Sequence, residues 1–360
     1  MDHHVLGLLA ALLLSVLFTP IIKRVAPLVG AVDRPNQRKV HKRAMPRLGG
    51  VAIYLSFAIS YIGFVQFTDI VATNIGYALL LGGGIIVLTG IIDDIVDLGA
   101  KVKVAGQIAA ALVTVYFGLR IEDIAVPFTE YTIHFHYLAI PITIFWILAI
   151  TNAVNLIDGL DGLAAGVSAI AATALLIVSI SMGHWMTAFM LVLFIGAVLG
   201  FLLFNFYPAS IFMGDSGSLF LGYVLASVSL LELKSATMVA FVIPILILAV
   251  PISDTVYAMV RRRMNKQSIA EADKNHVHHC LIKFGMTHRN AVLLIYGISA
   301  AFALLGILAT QVTLWMSILF FIIYLISFGI FAEKIGMVSK EYQPFQQMAQ
   351  LCKRWFTRTS

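Results

Sequence analysis

The 360-residue sequence predicts an all-α polytopic membrane protein of about eleven transmembrane helices, with one small β-hairpin near 121–136 on the outer side of the bilayer. Three observations lead there: composition, the recurrence of apolar blocks, and the placement of Lys and Arg. Hydrophobic residues make up 60% of the chain and charged residues only 12%, about half the charged share of a soluble domain. The lipid bilayer is therefore the expected environment, and no nucleic-acid partner is expected.

Apolar blocks lie near 4–22, 48–66, 75–92, 104–118, 138–154, 162–182, 185–205, 217–231, 237–257, 291–310 and 313–332. Each approaches the roughly 20 residues that cross a hydrocarbon core as helix, and together they leave no room for a separate soluble domain. The expected organisation is one transmembrane domain over 1–332 and a basic tail over 333–360. The first block lacks a basic leader and a small-residue cleavage site, so it reads as a retained span. Cys280 and Cys352 are too few for a disulfide framework and fall in segments assigned to the inner side.

Positively charged loops stay on the cytoplasmic side. The loops 23–47, 93–103 and 258–290 and the tail hold 22 of the 24 Lys and Arg, leaving Arg120 and Lys234 in loops of the opposite parity. An odd number of spans follows, with the N-terminus outside and the C-terminus inside. The loops 152–162 and 205–217 then also face inward. A re-entrant block at 104–118 is the alternative for the fourth span. Residues 119–137 alternate polar with apolar or aromatic around Pro127–Glu130, which predicts the outer hairpin. Gly82, Gly83 and Gly84 read as close helix packing.

Ionisable residues near membrane depth face a cavity or a partner, and here the acids gather at inner ends. DDIVD places Asp93 and Asp97 four apart, on one helical face, with Asp94 beside them; solvated helix-end charges are the plainer reading. NAVNLIDGLDGLAAG sets Asn152, Asn155, Asp158 and Asp161 among Gly159, Gly162 and Gly166, a pattern that suits a polar pocket where backbone approaches a ligand, or a polar turn followed by glycine packing. FNFYPASIFMGDSGSL carries Asn205, Phe212, Asp215 and Ser218, with Asp215 either in the pocket or as N-cap of the next helix.

If these loops meet, like charges face one another in a low-dielectric setting, and a hard cation resolves the repulsion. Oxygen ligands without His or Cys favour Mg²⁺, with Mn²⁺ as a substitute, and point to a phosphate substrate. The 257–290 loop adds Arg261, Arg262 and Arg263, suited to phosphate oxygens or to anchoring a helix end, and His276, His278 and His279, whose spacing fits no common zinc site. The histidines read as phosphate contacts or structural hydrogen bonds. Asp254 either pairs with an arginine or borders the site.

Taken in order, MPRLGG (45–50), DDIVD (93–97), NAVNLIDGLDGLA (152–164), FNFYPASIFMGDSGSL (204–219) and ADKNHVHH (272–279) resemble the polyprenyl-phosphate N-acetylhexosamine-1-phosphate transferases over most of the chain. The resemblance implies a transmembrane catalytic domain that moves a sugar 1-phosphate from a UDP-sugar to a polyprenyl phosphate and releases UMP. It implies that Asp215 ligates Mg²⁺, that Asp93 and Asp94 lie beside the lipid phosphate, that Asn155, Asp158 and Asp161 shape the nucleotide side, and that Phe212 stacks on uracil. Asn205, the three arginines and the three histidines join the substrate-binding set.

Val277 interrupts the histidine run usual in the muramoyl-pentapeptide branch, so the resemblance favours the branch that transfers GlcNAc-1-phosphate from UDP-GlcNAc to undecaprenyl phosphate and initiates teichoic acid or surface polysaccharide synthesis. The other branch is the alternative, and an ion-coupled transporter is the rival from a different class. Family analogy also suggests a homodimer in the bacterial plasma membrane. The MPRLGG motif departs from the TPTMGG form of the muramoyl branch, which leaves roles for Lys42, Arg43 and Arg47 open.

Overall fold

The computed structural model describes residues 2–33, 44–125, 129, 131–233, 241–267 and 275–338. The helices are α1 (Asp2–Leu28), α2 (Gly49–Phe67), α3 (Asn74–Val96), α4 (Ala100–Tyr116), α5 (Ala139–Ile157), α6 (Leu163–Ser181), α7 (Trp185–Asn205), α8 (Gly214–Leu233), α9 (Val242–Ile247), α10 (Ala249–Met264), α11 (Val277–Lys283), α12 (His288–Ala309) and α13 (Leu314–Lys334). Nine helical stretches among the described residues are long and apolar enough to cross a membrane, and the chain is a multi-pass membrane protein.

Among the described residues every expected span falls on helix, and two differ from a simple crossing. The fourth is α4, only 17 residues long. The ninth is divided into α9 and α10 at Leu248. Pro251, in the first turn of α10, has no N–H to offer the carbonyl of Ile247, where α9 stops.

Two small strand pairs complete the fold. β1 (Val32–Asp33) pairs antiparallel with β2 (Met45–Pro46), and β3 (Asp123–Ala125) with β4 (Thr132–His134), in register Ile124↔Ile133. The second pair is the expected hairpin. Its strands are cross-linked by Asp123 Oδ1 and His134 Nδ1 at 2.7 Å.

In lipid no hydrophobic force drives helices together, so close approach depends on small residues and on internal hydrogen bonds. α8 is the hub, packed by α2, α3, α5 and α6, while α7 packs against α1, α2 and α6. Glycines let backbones meet: a Cβ on Gly90 of α3 would lie 2.3 Å from Ser216 Cα, and one on Gly50 of α2 would lie 2.0 Å from Gly217 N. The first turn of α8 is thus pressed between α2 and α3. Farther along, Tyr223 donates to the Ala78 carbonyl at 2.8 Å and meets Thr114 Oγ1 at 2.7 Å. Gly82 faces the Tyr223 hydroxyl, Gly83 faces Phe220 and Gly84 faces Tyr54, the packing role expected of them.

Because successive long helices run antiparallel, the turns around 44–48, 97–99, 158–162 and 206–213 and residues 265–267 and 275–287 gather at one end of the bundle. The hairpin lies at the other end.

Gly90→Ala should destabilise the protein by roughly 1–3 kcal/mol, the usual cost of overpacking, because the clash is with backbone that cannot rotate away. Gly297→Ala, in α12 with nothing within 4 Å of a new Cβ, should leave thermal unfolding in detergent unchanged or raise its midpoint. Equal midpoints for the two variants would refute this account of the packing.

Candidate active site

Consecutive residues on a helix point about 100° apart, so Asp93 and Asp94 at the end of α3 serve different neighbours. Asp93 Oδ1 accepts from Leu98 N at 2.8 Å. Asp94 reaches the start of α8 and accepts from Asp215 N at 2.9 Å, Ser216 N at 3.1 Å and Ser216 Oγ at 2.9 Å. An anion at a helix N-terminus satisfies amides that have no partner in the helix and complements the helix dipole. The expected alternative of Asp215 as N-cap is thereby corrected: α8 starts at Gly214, its first amides are held by Asp94 of another helix, and the Asp215 side chain is left for other partners. Gly214, at φ +72°, permits the turn, and a Cβ there would lie 2.3 Å from Asp94 Oδ2.

The helical face expected for Asp93 and Asp97 is also corrected. α3 ends at Val96, and Asp97 turns into the left-handed region at φ 56° as an exposed C-cap.

Two cations enter this acidic cluster. Lys103 Nζ lies 2.7 Å from Asp215 Oδ2 and 2.8 Å from Asp93 Oδ2. Arg47 Nη2 lies 3.2 Å from Asp94 Oδ1 and 3.8 Å from Asp215 Oδ1, while Nη1 lies 3.8 Å from Asp33 Oδ1. Backbone bonds set the position of Arg47: Phe212 N donates to Pro46 O at 2.9 Å, Gly49 N to Phe212 O at 3.1 Å, and Gly50 N to Met213 O at 2.9 Å, forming a parallel bridge between Arg47 and Phe212. Burial opposes the charge on Arg47, but Asp94, Asp215 and Asp33 more than offset it and raise its pKa. Sequence reasoning left Arg47 open and counted Lys103 only toward topology. The signals available were that Arg47 stands inside MPRLGG and that Lys103 follows DDIVD closely.

The 152–166 segment divides by task. Asn155 Nδ2 donates to Ser218 Oγ at 2.7 Å, joining α5 to α8. Asp158, half-buried at the end of α5, has no side-chain hydrogen bond among the described residues; burial first, and then the charges of Asp215 and Asp94, push its carboxyl up to about 7. Asp161 Oδ2 accepts from Ala209 N at 2.9 Å, and Asn205 accepts from Gly162 N at 3.1 Å while donating to Ile211 O at 2.9 Å. These two side chains bind one motif loop to another. Asn152 pairs with Gln107 of α4 at 2.7 Å. Gly159 faces the His278 ring and Gly166 the Tyr296 ring, so here glycine admits protein side chains, as in the packing alternative.

On the neighbouring wall, His278 is 2% exposed, with a Cβ on Gly159 placed 2.1 Å from its Nε2. Its ring stacks parallel to His276 at a centroid distance of 6.1 Å and meets His279 at 4.2 Å. Burial, followed by the charges of His279, His276 and His288, lowers its pKa well below the ordinary histidine value. Asp254 pairs with His276 rather than with an arginine, Oδ2 to Nδ1 at 2.7 Å. Arg261 donates to the Met337 carbonyl at 2.5 Å, Arg262 is buried and Arg263 exposed. Lys42, Arg43, residues 268–274 and Cys352 lie outside the described residues.

Convergence of an Asp93 and an Asp215 oxygen on one ammonium tests the site for a cation. Among the described residues no three His, Cys, Asp or Glu form an all-protein metal cage, but Mg²⁺ is normally held by one or two carboxylates with phosphates and water supplying the rest. The oxygen donors present fit that pattern.

The raised Asp158 pKa has a stability consequence. The fold favours the neutral acid, so wild-type stability falls as pH rises from about 4 through about 7, where the folded carboxyl finally ionises. In EDTA, Asp158→Asn should therefore gain thermal stability relative to wild type across that interval and hold a constant advantage above it. A difference independent of pH would contradict the placement of this carboxyl.

The model of glycosyl transferase family 4 matches residues 76–232, which span α3 to α8 and carry most of the acidic cluster. A probable undecaprenyl-phosphate N-acetylglucosaminyl 1-phosphate transferase of Bacillus subtilis is 43% identical over 98% of each chain. A decaprenyl-phosphate N-acetylglucosaminephosphotransferase of Mycolicibacterium smegmatis is 36% identical over 80% of this chain and 77% of its own, and the undecaprenyl-phosphate alpha-N-acetylglucosaminyl 1-phosphate transferase of Escherichia coli K12 is 28% identical over 92% of both. The near full-length similarity, together with the acidic cluster, means that the chain belongs to the family of polyprenyl-phosphate N-acetylglucosamine-1-phosphate transferases.

Proposed function

We propose that the protein transfers GlcNAc-1-phosphate from UDP-GlcNAc to undecaprenyl phosphate at the cytoplasmic membrane face, producing undecaprenyl-diphosphate-GlcNAc and UMP and initiating teichoic acid or surface polysaccharide synthesis. The observation that carries this reading is the union of Asp93, Asp94 and Asp215 with Arg47 and Lys103 at one end of a membrane bundle. The sidedness rests on the 22 Lys and Arg that share the inward parity. The relatives' names favour the GlcNAc branch over the muramoyl branch.

Both reactants are anionic, so phosphoryl transfer needs alignment and charge neutralisation more than covalent help. The acceptor phosphate monoester has a second pKa near 6 and is largely dianionic at neutral pH. Its oxygen attacks the β-phosphate in line, with UMP as leaving group, and Asp93 orients the acceptor or takes its residual proton. Lys103, held between Asp93 and Asp215, and Arg47, held by Asp94 and Asp215, present positive charge to the two phosphate groups. Asp215, with Asp93 beside it, would hold Mg²⁺, which would supply positive charge to offset that of the donor pyrophosphate and of departing UMP. Asn155 and Asp158 line the nucleotide side, and the Phe212 ring, on a backbone pinned to residues 46–49, is the platform for uracil.

Purified protein with undecaprenyl phosphate, UDP-GlcNAc and Mg²⁺ should release UMP. EDTA should stop release, and Asp215→Ala should reduce turnover by about 100-fold or more. Use of UDP-MurNAc-pentapeptide alone would transfer the chain to the other branch. Metal-independent turnover would remove the role of Asp215, and a phosphosugar covalently attached to the enzyme would overturn direct attack.

A further inference from the structure

Asp254 is fully buried near the start of α10, beyond the break at Leu248, and its two oxygens have separate tasks. Oδ1 accepts from Val277 N at 2.7 Å, and Oδ2 lies 2.7 Å from His276 Nδ1. A carboxylate only accepts, so it requires the proton of His276 on Nδ1. Nε2 is the ring nitrogen left over, and it has no hydrogen bond to a described residue. The His276 ring stacks parallel over His278, whose own ring abuts Gly159 next to Asp158. Asp254 is thereby connected, through one imidazole, to the wall that faces the nucleotide side.

We propose that Asp254 is a positioning residue that sets the tautomer of His276, keeping Nε2 as a lone-pair acceptor for a hydroxyl or N–H of the nucleotide sugar. This rests on the donor assignment made above. The buried contact explains why an acid is placed here. Asparagine would have the same shape, but the Val277 N–H must meet an oxygen, so the new amide would turn its NH₂ toward His276. Nδ1 would then have to accept, and the proton would move to Nε2, the inversion that follows when a triad aspartate becomes asparagine. Nε2–H would face a donor group of the ligand, leaving a buried polar group unpaired.

Three measurements separate this role from a purely structural one. In bilayers, selectively ¹⁵N-histidine-labelled wild type should show a ring protonated at Nδ1 that disappears in His276→Ala. Asp254→Asn should convert that signal to an Nε2-protonated one while keeping the wild-type unfolding midpoint. In turnover assays, Asp254→Asn should raise KM for UDP-GlcNAc by about tenfold or more, as expected for one mispaired buried group, with KM for undecaprenyl phosphate unchanged. On a His276→Ala background the same substitution should have no further effect.

A wild-type His276 protonated at Nε2 would overturn the proposal even if the Asp254 variant fails to fold. So would wild-type donor KM in a folded Asp254→Asn protein, or an effect that simply adds to that of His276→Ala. Absence of UDP-GlcNAc turnover by wild type would instead reject the donor assignment, which the nitrogen spectra do not depend on.

Discussion

The carboxylate of Asp94 accepts the Asp215 and Ser216 amides in the first turn of α8 and the Ser216 hydroxyl at once, and the arrangement of the site follows from those bonds. Hydrogen bonds to a charged acceptor contribute roughly 1.5–3 kcal/mol each, and this acceptor lies where lipid and protein exclude water. Both oxygens are committed to α8, so the end of α3 and the beginning of α8 cannot separate without uncovering amides and a charge together. The glycines at 50, 90 and 217 serve the same junction by bringing backbones close enough for one side chain to span them. Asp215, relieved of capping, becomes the acid that Lys103 and Arg47 both reach.

That junction also explains the mixed charge of the site. Three carboxylates crowded together would favour protonation, and the two cations make their ionised forms compatible before any ligand arrives. Positive side chains thus already stand among the carboxylates, and Asp158 remains the acid whose burial is least offset. The neighbouring wall has a different construction. Asp161 and Asn205 tie motif loops to one another, and His278 fills the space over Gly159.

Much of the fold was legible because lipid imposes a simple demand: apolar residues in runs of about 20, with backbone groups satisfied inside each run. Even the break in the ninth span had a signal in Pro251. The acids of the site were legible because charge near membrane depth is costly and therefore informative. Their division of labour was hidden. Asp161 and Asp215 are chemically alike, and only the fold shows that one receives the Ala209 amide while the other faces Lys103. The pairing of Lys103 with Asp215 joins residues 112 apart, which no helical spacing rule can reach. Asp97 left its expected face because α3 stops one residue earlier, a boundary set by local backbone geometry.

The parallel bridge between Arg47 and Phe212 gives the site two unlike walls. On one side, consecutive backbone bonds from Pro46 to Gly50 stitch the first loop to the strand-like segment before α8. On the other, α11 is held against its neighbours by side chains, through His276 on Asp254 and His278 over Gly159. The first wall is therefore fastened by main-chain groups that any residue supplies, whereas the position of the second depends on the identities of Asp254, His276 and His278.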